Sequence, residues 1–406
     1  MMRFTIVLIS FIVHNSCSSE NPLEKIIRSE RIEIARVYKN LNKHNVQIRY
    51  THVERNEQNF PIFTSYNFGV DESRYFYPAS TAKLPVAILT LQKLRELQVK
   101  GVPIDMHTPF KIKDARRGII IAEEDISHPH KHLTFAHLIK KIFLISDDDA
   151  YNYLFDFLGK DYINEKLASV GLKDIQIHHK FLVDADNINT WEFEFFEEGK
   201  LIYRQDSQFS TFNKTNEDLK EAITGLGYIS NNKVILEPMD FRKKNRISIL
   251  SLEGLLKRIL FPKTFTEDQQ FKILTEDYMF LRFWMSRNTL ESKSPQYLSE
   301  TGFYDSYVKF LIYGDRKGEM SSNIRMFNKI GEAYGTLTDT AYIIDYENQV
   351  EFLLTATIMV NENQIFNDDI YEYDSIGIPF LAELGRQFLK LEQKKADPSA
   401  CFVNSR

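Results

Sequence analysis

Apolar and polar residues follow one another in patterns that predict both helices and strands. The nearly continuous apolar run from Leu84 to Leu89 predicts a buried helix, and the run from Leu133 to Leu144 has the spacing of a buried amphipathic helix. A polar break follows, after which Ala150 begins another predicted helix. Runs from Thr340 to Tyr346 and from Val350 to Val360 predict two β-strands near the C-terminus.

A β-hairpin is predicted in the middle of the chain. The run from Thr190 to Phe196 is followed by a second run from Lys200 to Arg204, and Glu197-Glu198-Gly199 separates the two. The acidic residues Glu192 and Glu194 lie in the first run, where the simplest interpretation is that they are solvated strand residues.

The composition is that of an ordinary globular protein. The 406 residues are 43% hydrophobic and 26% charged, with a formal net charge of −5. This balance provides no excess of positive charge for a polyanionic partner, so we expect no nucleic-acid binding. The 31 Phe and 20 Tyr residues indicate a large aromatic core.

The first residues are typical of an export signal. Arg3 precedes an apolar run from Phe4 to Val13, which is too short to span a bilayer but suits a signal peptide over residues 1–17. The following Ser16-Cys17-Ser18-Ser19 resembles a bacterial lipoprotein cleavage site, with plain secretion as the alternative. We therefore expect an exported protein, periplasmic or anchored to a membrane through lipidated Cys17. Cys401 then has no partner, and no disulfide is expected.

Ser80-Thr81-Ala82-Lys83 places a hydroxyl and an amine three residues apart at the start of the first apolar run. A helix brings such positions to one face, with Cβ atoms about 5–6 Å apart, so the lysine can accept the serine proton. The same spacing occurs by chance on surface helices, but a surface turn would not precede a buried helix. We predict that Ser80 is a nucleophile and Lys83 its general base.

A second serine lies in the polar break between two predicted helices. Ser146-Asp147-Asp148-Asp149 separates the helix that ends near Leu144 from the helix that begins at Ala150. A serine on such a loop can relay a proton between a lysine and a leaving group. The alternative is that these residues form an ordinary helix N-cap.

A third segment, Lys329-Ile330-Gly331, precedes the C-terminal strands. A lysine on an edge strand beside a cleft supplies positive charge for a substrate carboxylate, and a nearby glycine lets the substrate backbone approach. Alone, this short pattern carries little information.

Together and in this order, the three segments resemble the motifs of the penicillin-recognising serine hydrolases, most closely the class A β-lactamases. The family patterns S-x-x-K, S-D-N and K-[ST]-G correspond to Ser80-Thr81-Ala82-Lys83, Ser146-Asp147-Asp148 and Lys329-Ile330-Gly331. The resemblance extends to Gln47–Tyr66, similar to the family's first two strands, to Ser248–Leu260, similar to the helix after its Ω-loop, and to Ser375–Leu391, similar to its C-terminal helix.

The resemblance implies an α/β fold of the β-lactamase and DD-peptidase type. In this fold an antiparallel sheet of N- and C-terminal strands is flanked by helices, and an all-helical lobe inserted between them completes a cleft. The domain would cover residues 18–406, which exceeds the family's usual core. The extra residues are concentrated near 184–238, where surface loops and a short helix are expected, and near 261–323.

The resemblance also implies a role for each motif residue. Ser80 would be acylated, Lys83 would take its proton, Ser146 would relay that proton, and Lys329 would anchor the substrate carboxylate. The oxyanion hole would use the backbone N–H of Ser80 and of a strand residue just after Gly331, near Ala333.

Two motif positions depart from the family. Asp148 stands where the S-D-N asparagine is expected, so an acceptor replaces a hydrogen-bond donor beside the substrate. Ile330 replaces the K-[ST]-G hydroxyl and cannot bond a carboxylate. Asn152, one helical turn beyond Asp148, matches a family asparagine that we expect near the substrate.

A further departure concerns the water that hydrolyses the acyl-enzyme. At the distance after Gly171 where class A enzymes carry the activating glutamate, this chain has Lys180-Phe181-Leu182-Val183. The nearest carboxylates are Asp184, Asp186, Glu192 and Glu194, and none is assigned as the base.

From these features we expect a serine hydrolase that opens β-lactam rings through a Ser80 ester. The alternatives are a DD-peptidase or esterase of the same fold acting on cell-wall peptides, and a catalytically impaired binding protein. No cofactor is required, and a monomer is expected. The alternating His128, His130 and His132 are interpreted as a polar loop and not as a metal site.

Overall fold

Strands from the two ends of the chain form the main sheet of the computed structural model, which describes residues 21–182 and 184–396. In chain order the strands are β1 (Gln47–Arg55), β2 (Pro61–Phe68), β3 (Phe110–Asp114), β4 (Ile119–Ala122), β5 (Glu192–Glu197), β6 (Lys200–Gln205), β7 (Ile223–Thr224), β8 (Gly227–Ser230), β9 (Lys233–Ile235), β10 (Met239–Asp240), β11 (Ile324–Ala333), β12 (Thr336–Asp345), β13 (Val350–Met359) and β14 (Ile365–Phe366). Cys17, the predicted signal segment and Cys401 lie outside the described residues.

The helices lie before, between and after these strands. They are α1 (Pro22–Ile27), α2 (Ile32–Tyr38), α3 (Leu41–His44), α4 (Lys83–Val99), α5 (Phe135–Ile145), α6 (Asp148–Leu158), α7 (Lys160–Ser169), α8 (Ile249–Leu260), α9 (Thr275–Met285) and α10 (Ile378–Ala396). None of the helices in the described ranges is long and apolar enough to cross a membrane.

The main sheet is antiparallel, with strand order β11-β12-β13-β1-β2. Its two faces are both covered, because neighbouring side chains along a strand point to opposite sides. On β13, Leu353 joins the apolar cluster that includes α8, whereas Leu354 joins the cluster that includes α10. In this strand order β11 lies at one edge of the sheet, and its unpaired side can face the helical lobe.

Helix α4 is the centre of the helical lobe. Its apolar residues are distributed all round the helix and not along one stripe, which is typical of a helix surrounded by protein. The side chains of Leu84, Val86, Ile88, Leu89 and Leu91 are all buried. They pack with residues of α5, α6 and α7, so the first residues of α4 are held rigidly at the boundary between the lobe and the sheet.

The predicted fold class is confirmed, and one detail of the first extra segment is corrected. The predicted hairpin forms as β5 and β6, and β3 and β4 extend it to a four-stranded sheet in the order β4-β3-β5-β6. The short helix expected within residues 184–238 is absent from the described part of that segment, which instead contains β5 to β9. Short stretches such as Lys233–Ile235 pair as edge strands with neighbours that the local sequence does not reveal.

Candidate active site

Ser80 lies in a 3₁₀ turn, Ala79–Ala82, directly before α4. Ala79 adopts a left-handed φ of 46°, an uncommon conformation for a residue with a side chain. Thr81 Oγ1 donates a hydrogen bond to the Pro78 carbonyl at 2.6 Å and closes the turn. Ala79 and Thr81 are buried, whereas Ser80 is half-buried. The turn therefore presents the serine hydroxyl to the cleft on a rigid base.

Gly331 allows strand β11 to lie against this turn. A Cβ atom at Gly331 would lie 2.5 Å from the Pro78 carbonyl oxygen and 3.2 Å from the Thr81 nitrogen, and backbone atoms cannot move aside cheaply. The sequence predicted that this glycine admits the substrate backbone. In the structure it admits the turn that carries the nucleophile.

Two lysines converge on Ser146. Lys83 Nζ donates to the Ser146 carbonyl, lies 3.3 Å from Ser146 Oγ and donates to Asp148 Oδ1 at 2.5 Å. Lys329 Nζ donates to Ser146 Oγ at 2.8 Å and to the Ile330 carbonyl at 3.0 Å. Because both lysine Nζ atoms donate to Ser146 Oγ, the hydroxyl hydrogen of Ser146 is free to point at a third group. This is the arrangement that a proton relay needs.

Burial controls the charge of both lysines. Lys83 is fully buried, and desolvation holds its pKa below the ordinary value although Asp148 acts in the opposite direction. Lys329 is also buried, and desolvation together with the neighbouring charge of Lys83 lowers its pKa well below the ordinary value. A lysine with a lowered pKa has a larger neutral fraction near pH 7, so Lys83 can act as a base.

The turn between α5 and α6 positions Ser146. Ser146 is the C-cap of α5 in the left-handed conformation, with φ 59°, and Asp147 is the N-cap of α6, where its carboxylate accepts from the Ala150 N–H at 2.7 Å. The capping alternative therefore describes Asp147 correctly. Ser146 is left with its hydroxyl directed at the two lysines.

Asn152 holds the wall of the cleft. Its side chain is buried, and its Oδ1 accepts from the Phe181 N–H at 2.7 Å. It therefore lies behind Phe181 and not on the surface that a substrate would contact. The Phe181 ring centroid lies 5.2 Å from Lys83 Nζ, and the ring lines the same cavity as Ser80. An apolar ring thus occupies the place where the family comparison led us to look for a carboxylate.

The four candidate bases lie elsewhere. Among the described residues that line the cavities at Ser80, none is Asp184, Asp186, Glu192 or Glu194. Asp186 pairs with Arg116 at 2.6 Å, and Glu194 pairs with Lys113 at 2.5 Å and with Arg204 at 2.6 Å. These pairings lower the pKa of Glu194 and, with backbone hydrogen bonds, that of Asp186.

A buried ion pair fixes the loop that carries Phe181. Lys180 Nζ lies 2.7 Å from Asp156 Oδ2 and 4.4 Å from the centroid of the Trp191 ring, and both charged side chains are about 1% exposed. Burial raises the pKa of Asp156 to about 7. The pair ties Lys180 to α6 from inside the protein, next to the residue that faces Lys83.

We expect Lys180→Met to destabilise the protein strongly, because it leaves the Asp156 carboxylate buried without a cation. Breaking such a pair costs about 3–5 kcal/mol, to be measured by urea unfolding. The double variant Lys180→Met/Asp156→Leu removes both charges and should recover most of this loss. An unchanged unfolding midpoint in the single variant would contradict the assignment.

The cleft continues on both sides of Ser80. On one side lies a cavity of about 440 Å³ that Ser80 shares with Phe181, Ala333 and several tyrosines. On the other side lies a cavity of about 330 Å³ that Ser80 shares with Ser146 and Ile330. The structure therefore brings Ser80, Lys83, Ser146, Asp148, Lys329 and Ala333 together. The oxyanion hole between Ser80 and Ala333 stays a prediction.

Three carboxylates of the cleft, Glu332, Asp369 and Asp374, were not singled out in the sequence. Glu332 lines both cavities, as Asp148 does, whereas Asp374 lines only the cavity on the Ser146 side and Asp369 only the other. Glu332 directly follows Gly331 of the third motif, which was the available signal. No group of three or more His, Cys, Asp or Glu suited to a metal ion is found in residues 21–182 and 184–396.

This fold, with Ser80 directly before a buried helix, the buried Lys83 one turn later and Ser146 between two lysines, is consistent with the class of penicillin-recognising S-x-x-K serine hydrolases. The sequence agrees, because residues 31–225 match the model of the family described as "Beta-lactamase enzyme family". The match includes Ser80, Lys83, Ser146 and Phe181 and ends before Lys329. The resemblance to penicillin-recognising S-x-x-K hydrolases predicted from the motifs is confirmed.

Several solved structures are similar to this chain. A mutant of PBP-A, in an acyl-enzyme complex with penicillin G, has 13% identity and a TM-score of 0.50, over 92% of this chain and 97% of its own. A β-lactamase from Sphaerobacter thermophilus has 13% identity and a TM-score of 0.48, over 91% and 96% of the two chains. A β-lactamase from Xanthomonas campestris has 14% identity and a TM-score of 0.49, over 91% and 99%. At such identities the likeness concerns the fold alone. No curated protein matches the chain significantly.

Proposed function

We propose that this protein is a serine hydrolase that opens β-lactam rings by forming an ester at Ser80. The observation that carries the proposal is the convergence of Lys83 and Lys329 on Ser146 beside the half-buried Ser80. In this mechanism Lys83 takes the Ser80 proton while Ser80 Oγ bonds to the lactam carbonyl carbon. The carbon–nitrogen bond then breaks, and Ser146 delivers a proton to the leaving nitrogen.

The experiment that tests the proposal is intact-mass measurement of the protein after addition of penicillin G. We expect a mass increase equal to one penicillin molecule, and peptide mapping should place the adduct on the peptide that contains Ser80. An adduct on another residue, or none at any penicillin concentration, would overturn the proposal.

A second candidate function is a DD-peptidase or esterase of the same fold, and the Phe181 ring beside Lys83 favours it. Without a carboxylate at that place, a penicilloyl ester has no obvious base to activate the water that would hydrolyse it. A peptide or ester substrate avoids this difficulty when it supplies its own acceptor for the acyl group, or when its leaving group vacates the cleft so that an acceptor can enter. Release of D-alanine from a cell-wall peptide ending in D-Ala-D-Ala, measured beside penicillin hydrolysis, separates the two activities. Export and lipidation at Cys17 are part of the proposal and are supported by the N-terminal sequence alone.

We expect Phe181→Glu to accelerate hydrolysis of the penicilloyl adduct. The new carboxylate would replace the ring that lies 5.2 Å from Lys83 Nζ and lines the cavity with Ser80, so it can activate a water there. General-base assistance is worth about 10²–10⁴-fold, to be measured as the decay of the adduct mass after free penicillin is removed.

The matched control is Phe181→Gln, which has the same shape as the glutamate variant and no basic carboxylate. Its adduct should persist as long as that of the wild type. Equal decay in the Glu and Gln variants would mean that the lost ring, and not the carboxylate, is responsible.

A further inference from the structure

The cavity on the Ser146 side of the nucleophile, which we term the Ser146-side pocket, is acidic. Its polar lining includes Ser80, Ser146, Asp148, Glu332 and Asp374. No lysine or arginine is among the described residues that line it. All three carboxylates belong to residues with exposed side chains, so the charge faces the space that a substrate would fill.

The lysine predicted to bind a substrate carboxylate is not available in this pocket. Lys329 is buried, and its ammonium group already donates to Ser146 Oγ and to the Ile330 carbonyl. Ile330, which lines the pocket, offers no hydroxyl in place of the one that the family motif carries. A substrate carboxylate would therefore meet three negative charges and no free donor of positive charge.

Two of the carboxylates also lack a counter-ion. Asp148 pairs with Lys83, but within the described part of the chain neither Glu332 nor Asp374 forms an ion pair. Both line the same cavity, and partial burial together with the negative charge of Asp374 raises the pKa of Glu332. A bound cation would offset these negative charges.

Aromatic rings provide a second, independent feature. Tyr304 and Tyr307 both line the Ser146-side pocket, with ring centroids 5.4 Å apart and planes at 71°. The face of a tyrosine ring attracts a cation, and it does so more strongly where water is partly excluded. Carboxylates combined with tyrosine faces suit an ammonium or guanidinium group and disfavour an anion.

We propose that the substrate of Ser80 carries a cationic group on the leaving-group side of the scissile bond, bound in the Ser146-side pocket between Glu332 and Asp374. This inference rests on the proposed function, since the side is defined by Ser146 as the donor to the leaving group. When Ser80 Oγ bonds to the carbonyl carbon, the bond from that carbon to the leaving atom breaks. Lys83 takes the Ser80 proton, and Ser146 gives one to the leaving atom. In a β-lactam the protonated nitrogen and its cationic substituent stay attached to the ester through the opened ring, whereas in an acyclic substrate they leave as a separate amine or alcohol.

Nearby lysines belong to other cavities. Lys317 Nζ lies 5.4 Å from the centroid of the Tyr304 ring, but the residue lines an adjoining cavity and not the Ser146-side pocket. Lys243 and Lys244 line a separate cavity next to Tyr77 and Tyr334. Because Tyr304 also lines the Ser146-side pocket, Lys317 is the residue to test as an alternative anchor for an anion.

The test uses one β-lactam in three charge states at the position next to the leaving nitrogen: penicillin G, its neutral methyl ester and its cationic choline ester. The second-order rate of adduct formation at Ser80 is measured by intact mass. We expect the choline ester to react at least about tenfold faster than the methyl ester, and penicillin G to react most slowly. In Glu332→Gln and Asp374→Asn the ratio of choline ester to methyl ester should fall towards one.

The possible failures are distinguishable. If all three compounds acylate Ser80 but their rates are equal, or penicillin G is fastest, the inference is overturned and the proposed function stands. A preference for penicillin G that disappears in Lys317→Met would assign the pocket to an anion. If none of the three forms an adduct at Ser80, the proposed function fails, and the inference fails with it.

Discussion

The Ser80→Ala variant is expected to form no adduct with penicillin G at any concentration or time. The variant lacks the oxygen that bonds to the lactam carbonyl. The other two serines that line the cavities at Ser80 are already hydrogen-bonded, Ser146 to two lysines and Ser306 to the Arg316 carbonyl. Ser80 is half-buried at the mouth of the cleft, so removing its hydroxyl creates no cavity in the core. We therefore expect a folded protein with complete loss of labelling.

The Ser146→Ala variant is the matched control for this result. It removes a hydroxyl from the same cleft but keeps the nucleophile, so the adduct should still form, more slowly by about 10²-fold or more. Thermal unfolding of both variants checks that they remain folded. Normal labelling of Ser80→Ala would contradict the assignment of Ser80 as the nucleophile. If labelling were also lost completely in Ser146→Ala, the roles assigned to the two serines would be exchanged.

Much of the architecture could be predicted because it depends on local patterns. The apolar run after Ser80 favours a buried helix and the β-branched and aromatic runs near the C-terminus favour strands, because each pattern buries its apolar residues well in that element. Helix α8 begins one residue after Ser248, which caps it by accepting from the Ser251 N–H at 3.1 Å. Such capping signals lie within a few residues of one another and can be read directly.

The segment from 184 to 238 was predicted less well because its partners are distant in sequence. Strand β8 pairs in parallel with β14, and Ile365 lies opposite Gly227. A strand of four residues or fewer is stabilised by its neighbour more than by its own composition, so short stretches that look like loops in the sequence can join a sheet.

The motif residues were found by their types, but their partners were not. Lys329 was expected to face a substrate carboxylate, and only the packing of β11 against the Ser80 turn shows that its ammonium group donates to Ser146. Likewise, Phe181 and Asp374 come to the cleft from segments far from any motif. Spacing in a sequence defines which residues can react, whereas burial and long-range contacts define what each one faces.

Replacing Lys83 with methionine is expected to slow acylation of Ser80 by about 10²–10⁴-fold, the usual contribution of a general base. Methionine has a similar length and suits a buried site, and the Asp148 partner that it abandons is exposed, so the carboxylate can be hydrated. The measurement is the rate of adduct formation with penicillin G as a function of pH. For the wild type the rate should rise with pH as Lys83 loses its proton, and this rise should begin below the ordinary pKa of lysine because burial lowers the pKa of Lys83.

The Asp148→Asn variant distinguishes a Lys83 that acts as the base from a Lys83 that has only a structural role. The carboxylate of Asp148 acts to raise the pKa of Lys83, so its removal lowers that pKa further, and the rise of the acylation rate should move to lower pH. Lys83→Met should lose this rise altogether, whether or not Asp148 is present, because the titrating amine is gone. A pH profile that is the same in Lys83→Met as in the wild type, or that does not move in Asp148→Asn, would mean that the proton of Ser80 goes to a group other than Lys83.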